Sequence, residues 1–318
     1  MITLNKNRCA HGMMVLASLL IATSFPVVAS IAGALDSLTL TLLRFVLASL
    51  LFLPLVALRY RTEAIPGKAA LIRYATLSAP LVGFFCAMFE ALRTTTAINT
   101  GALFTFVPNF AALFTLLILG ERLTGRHLVA LGTGMIGALW VVFRGDPSRV
   151  MALDLVSGDA IFLAGTASLG LYAVLIKRLH RGEPMAVMTF WTLVTGSGWL
   201  LMLGWDTFDA ICWQEIEPGV FGAIAYLAIF TTLVTFLLTQ KAVAVIGPTQ
   251  TMAYNFLNPT LVALLAWILG DGALGWMVLP GVGFTLLSMA VLQRGNIPLR
   301  VPASYQIRHT SHRPQTTI

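Results

Sequence analysis

The stretch PNFAALFTLLILGE at residues 108–121 is written again at residues 259–271 as PTLVALLAWILGD. Both copies are an apolar run opened by proline and closed by Leu-Gly-acid. Pro108 is followed 24 residues later by Gly132, and Pro259 is followed 24 residues later by Gly283. Upstream, Asp36 precedes Arg44 by eight residues, and Glu183 precedes Trp191 by eight. The chain reads as one unit written twice.

The composition around these copies sets their solvent. Hydrophobic residues make up 58% of the 318 positions and charged residues 10%, where a soluble domain carries about 25% charged residues. A soluble core could not hide that much apolar surface, so the bilayer must be the solvent. About 20 apolar residues cross the hydrocarbon as a helix. Ten such stretches are present, at 13–33, 38–58, 74–92, 97–119, 127–143, 157–176, 185–205, 219–240, 247–269 and 273–292. The runs are continuous and do not alternate in ten-residue segments, which excludes a β-barrel.

The net charge of +7 is topological. With the N-terminus in the cytoplasm, sixteen of the 20 Lys and Arg fall on the inner side, three (Arg93, Arg144 and Arg149) fall outside, and Arg44 lies within a span. That bias places both termini in the cytoplasm of a multi-pass cell-membrane protein and makes a nucleic-acid partner unexpected. Cys9, Cys86 and Cys212 fall in three different compartments, so neither a disulfide framework nor a metal spacing is expected. Residues 6–33 imitate a signal peptide but are expected to stay as the first span, because a further span follows at once.

Five spans fall in each unit, 12–143 and 157–293, joined by the connector 144–156. An odd number per unit turns the second upside down. The expected fold is therefore an all-α membrane protein of ten transmembrane helices in two inverted five-helix repeats. The tail, 294–318, has too little apolar content to fold and is expected to be disordered in the cytoplasm.

The chain resembles the drug/metabolite transporter superfamily in its ten-span, EamA-like branch. The residues that carry the resemblance are Asp36 to Arg44 with the following FVLASLLFLPLV, and EALRTTTAINTGALFTFVPNFAALFTLLILGERLTG at 90–125. In the second half they are SGDAIFLAGTASLGLYAVLIKRL at 157–179 and NPTLVALLAWILGD at 258–271. Asp271 departs from the pattern, which usually has glutamate there. The resemblance implies a polytopic transporter of small metabolites or drugs with a central cavity between the halves. It does not specify a substrate.

Several residues are candidates for lining that cavity. Glu90 and Arg44 are charges within spans, and an intramembrane charge is a functional hypothesis by default. Glu90 is a candidate proton carrier. Arg44 is a candidate partner for Glu90, or an anchor for a substrate carboxylate. The repeat aligns Glu90 with Lys241 and Arg44 with Trp191, and Lys241 can rest on the Trp191 face. Spans four and nine are rich in polar side chains, with Asn99 and Asn109 in one, and Tyr254 and Asn255 in the other. Pro108 and Pro259 each remove a backbone donor, and broken helices at a repeat interface are where transporters place substrate. Glycines 132, 134, 137, 165, 170, 281 and 283 read as helix-packing positions.

No catalytic constellation emerges. Gly196-Ser197-Gly198 has no histidine expected deep in a span to serve as base, since His11, His127, His180, His309 and His312 all lie at span ends or in tails, and zincin and P-loop patterns are absent. The expected function is secondary transport of a small metabolite or drug-like solute, by alternating access, as an exporter or exchanger. No cofactor or metal is expected. The partners are the lipid bilayer and a small-molecule substrate, with a homodimer left open. The alternative is a non-transporting membrane regulator or enzyme subunit on the same fold.

Overall fold

The computed structural model describes residues 2–31, 34–60, 65–95, 97–121, 123–146, 148, 151, 156–209, 211, 213–270 and 276–294. The expected tail beyond 294, Asp271, Cys212, Arg122, Arg149 and much of the 144–156 connector lie outside the described residues.

Among the described residues, ten helices are long and apolar enough to span a membrane. In lipid each backbone donor and acceptor needs an internal partner, which a helix supplies within one segment. The spanning helices are α1 (Ile2–Ser30), α2 (Ser37–Arg59), α3 (Lys68–Leu92), α4 (Asn99–Leu119), α5 (Gly125–Val142), α6 (Ser157–Leu179), α7 (Met185–Leu203), α8 (Pro218–Ile246), α9 (Pro248–Leu269) and α10 (Leu279–Arg294). The eighth runs past its expected end at 240, because nothing stops it before Gly247, which takes a φ of 84°.

The helices of the two units pair as an inverted repeat requires. Helix α3 packs on α6, and α8, its counterpart, packs on α1. Likewise α4 meets α6 as α9 meets α1, while α2 pairs with α7 and α5 with α10. The units therefore interleave, and the largest contacts have a repeat-related twin or relate a helix to its own twin.

The signature shared by 108–121 and 259–271 has a local physical cause at each end. A proline lacks the N–H of the helical ladder and crowds the preceding turn, so both spans break just before it. In α4, Ala97–Phe104 stops, residues 105–106 form a turn, and Val107–Phe114 restarts the helix with Pro108 in its first turn. In α9, Pro248–Met252 passes into a 3₁₀ segment, Ala253–Leu257, and Asn258–Leu269 restarts with Pro259 in its first turn. At the far end, Gly120 and Gly270 adopt φ of 68° and 86°. Only glycine takes that left-handed end without strain, which explains the Leu-Gly closure.

Candidate functional site

The two breaks adjoin. Val107–Phe114 of α4 packs against both Pro248–Met252 and Ala253–Leu257 of α9. Val107, Ala111, Ala173 and Met252 form a small apolar cluster there. Gly170 of α6 lets the restarted part of α4 come close, since a Cβ on it would lie 2.9 Å from the Ala111 backbone nitrogen.

Polar satisfaction is incomplete beside each of the two prolines. Asn109 donates its amide Nδ2 to Met135 Sδ at 3.0 Å, and its Oδ1 is buried without a partner. Asn255 donates to Met252 Sδ at 3.8 Å and accepts from Asn258 Nδ2 at 3.4 Å. Asn258 Oδ1 and Thr260 Oγ1 are buried without partners. Asn109 and Thr260 occupy the same repeat position, each directly after its proline.

The family follows from the whole chain. The EamA-like transporter family matches it twice, over residues 9–143 and again over 156–294. This chain belongs to the EamA-like transporter family. It is thus a multi-pass membrane transporter of two repeats. It is similar to the uncharacterized transporter YyaM of Bacillus subtilis (strain 168), with 26% identity over 223 residues, 70% of this chain and 72% of that protein. A protein of known crystal structure shares the fold at a TM-score of 0.71 and 17% identity, covering 90% of this chain and 97% of that one.

Within this EamA-like frame, the candidate residues do not converge on one point. Arg44 does not meet Glu90. Its Nε and Nη2 donate to Thr232 Oγ1 at 3.2 and 3.0 Å, and Nη2 also donates to Thr231 Oγ1 at 3.3 Å. Those threonines sit on a wide π-helical segment of α8, Leu227–Val234. Among the described residues no carboxylate lies within ion-pair distance of Arg44. Glu90 instead reaches Arg93 on its own helix at 3.3 Å, with its side chain 57% exposed. Glu90 edges a cavity of about 250 Å³ with Asp36, Ser37, Cys86, Phe89 and Arg93.

Asn99 and Tyr254 are tied into structural networks. Asn99 Nδ2 donates to Asp159 Oδ2 at 3.0 Å, and the Val156 amide reaches the same oxygen at 2.9 Å. Thr95 donates its hydroxyl to the other oxygen of Asp159. This buried carboxylate, which the sequence reading passed over, caps α6 and ties it to the α3–α4 turn. Tyr254 is 1% exposed, and its hydroxyl bonds His11 Nδ1 of α1 at 3.0 Å and Gln293 Nε2 of α10 at 2.8 Å. Trp191 meets Phe190 edge to face at 5.3 Å. A cation over a ring is seen at Arg73, 5.2 Å from the Tyr74 centroid.

Three further features escaped the sequence reading. Thr231 and Thr232 are ordinary in an apolar run until their helix widens. Met135 and Met252 look like filler. Gln240 is fully buried and bonds Thr189, Tyr172 and Thr192. A neutral amide inside an apolar run was the available signal for Gln240.

Proposed function

We propose that this protein is a secondary transporter that moves a small solute by alternating access, with the solute held where the breaks of α4 and α9 adjoin. The observation that carries the reading is the set of bare oxygens on Asn109, Asn258 and Thr260. They are three of the six buried side-chain polar atoms without partners among the described residues. Buried polar groups are nearly always bonded, and these exceptions gather beside two repeat-related prolines. A broken helix at the interface of inverted repeats is where transporters hold their cargo. Asn255 belongs to this site through its bond to Asn258, whereas Arg44, Glu90 and Trp191 would act on the path to it. The charge bias of the loops supports cytoplasmic termini in the cell membrane.

The test is reconstitution. A deletion strain and an overexpressing strain, grown against metabolite and toxin panels, identify the solute. Purified protein in liposomes then exchanges that solute across the bilayer, and Asn258→Leu slows it at least tenfold. A protein that leaves every solute in place would be a regulator built on the transporter fold.

A further inference from the structure

The amide chemistry of the two breaks is one-sided. A thioether sulfur accepts hydrogen bonds and cannot donate them. An amide turned to a methionine must therefore present its nitrogen, which settles an orientation that is otherwise ambiguous. Asn109 spends its Nδ2 on Met135 and leaves Oδ1 bare. Asn255 turns its Nδ2 to Met252, so its Oδ1 faces Asn258 and takes the Asn258 Nδ2. Asn258 is then left with Oδ1 bare, at 3% exposure. Both breaks thus begin a chain of amides on a sulfur and end it on an unpaired carbonyl oxygen beside the proline. The Thr260 hydroxyl oxygen is unpaired as well.

We propose that the solute reaches these breaks through hydrogen-bond donors, as a protonated primary or secondary amine. This rests on the transporter reading and names the chemical class its site takes. An ammonium brings two or three N–H groups and no acceptor, so it completes bare carbonyl oxygens with charge-assisted bonds. A carboxylate or phosphate brings only acceptors; the Thr260 hydroxyl could donate to one, but the bare carbonyl oxygens of Asn109 and Asn258 would repel it. Asn109, Asn255, Asn258 and Thr260 are all neutral, so the amine is held by dipoles rather than by an ion pair. The guanidinium of Arg44 directs its Nε and Nη2 at α8, away from this role.

The test uses the full chain with Cys9, Cys86 and Cys212 replaced by serine, and a single cysteine at Asn109 (N109C) or Thr260 (T260C). Each variant is first checked for a single symmetric peak in detergent. Three methanethiosulfonates are then compared, each rate divided by its rate on a free thiol. The aminoethyl reagent is a cation with N–H donors, the trimethylammonioethyl reagent is a cation without them, and the sulfonatoethyl reagent is an anion. The aminoethyl reagent should lead both others by about tenfold, as one charge-assisted hydrogen bond allows. Adding Asn258→Leu to T260C should bring the three within about twofold of one another. Equal rates for the two cations would show that charge alone is read, and would overturn the proposal. A lead for the sulfonate would also overturn it. Either result would leave an open site and the transporter reading intact. Silence of both positions toward all three reagents would mean that the breaks are closed to solutes, and the transporter site would fall together with its amine.

Discussion

Arg44 of α2 and Thr232 of α8 are joined by a fork, with Nε and Nη2 donating to one hydroxyl oxygen at 3.2 and 3.0 Å. The neighbouring Thr231 takes a further bond from Nη2 at 3.3 Å while donating its own proton to the Leu227 carbonyl at 2.9 Å. A charge inside a span is thus held by neutral hydroxyls from the other repeat. The π-helical widening at Leu227–Val234 presents both hydroxyls to the same group, and such widenings often sit at functional places.

That fork predicts where Arg44 couples. Removing the hydroxyl in Thr232→Val should cost about 1.5–3 kcal/mol, the range for hydrogen bonds to charged groups. In a double-mutant cycle with Arg44→Met, most of that cost should vanish, because the donor is already gone. The cycle of Arg44→Met with Glu90→Gln should instead be additive within about 0.5 kcal/mol, as for sites without a shared partner. Thermal unfolding in detergent measures both cycles. Strong coupling of Arg44 to Glu90 would restore the pairing first read from the sequence.

The glycines separate into packed and open. A Cβ on Gly134 would lie 2.5 Å from the Phe256 ring and from Ser288 Oγ, and one on Gly137 would lie 2.7 Å from the Gly281 carbonyl oxygen. Gly132 and Gly283, the two placed by the repeat, have nothing within 4 Å. Gly132 edges an apolar groove of about 610 Å³ between α4 and α5. Gly137→Ala and Gly170→Ala should therefore each cost about 1–3 kcal/mol through overpacking against backbone. Gly132→Ala and Gly283→Ala should stay within about 0.5 kcal/mol of the parent. Melting temperatures of the four variants check the division.

The Asp159 network predicts a structural role for Asn99. Asp159→Ala should cost about 1–3 kcal/mol, since it removes a cap and the bonds it accepts from Asn99, Thr95 and the Val156 N–H. Asn99→Ala should be milder, and the two should be strongly non-additive. Neither should change the apparent KM for the transported solute. A raised KM in Asn99→Ala, with stability unchanged, would return Asn99 to the solute path.

Much of this architecture was readable from one chain. Apolar run length counted the spans, and an odd number per unit inverted the second. Pro108, Pro259 and the Leu-Gly closures located the breaks and helix ends, because proline and glycine act on the backbone next to them. The side-chain partners were less readable. Sequence spacing put Arg44 and Glu90 at similar depths, but depth says nothing of the direction around each helix axis. Tyr254 and Asn255 are adjacent in the chain, yet Tyr254 turns to His11 and Gln293 while Asn255 turns to Met252 and Asn258. The 3₁₀ segment that carries both changes the angle between successive side chains, so a uniform helical wheel misplaces them.

The last prediction concerns two ion pairs that join the repeats at one end of the bundle. Glu121, just past the end of α4, meets Lys177 of α6 at 2.5 Å, and Arg73 of α3 meets Glu183, after α6, at 2.8 Å. Their side chains are 12–24% exposed. Breaking a fully buried pair costs about 3–5 kcal/mol because one charge is stranded. With water still reaching these groups, about 2 kcal/mol is the better expectation for Lys177→Met. The exchanged pair, Glu121→Lys with Lys177→Glu, should recover most of that loss, since it keeps one charge of each sign across the same gap. The proposed alternating access adds a second expectation, because under it this end parts when it opens. Replacing both partners, Glu121→Met with Lys177→Met, strands no charge and should leave melting close to the parent while changing the transport rate. Unchanged transport in that stable double variant would mean that the two repeats do not separate at Glu121 and Lys177 during the cycle.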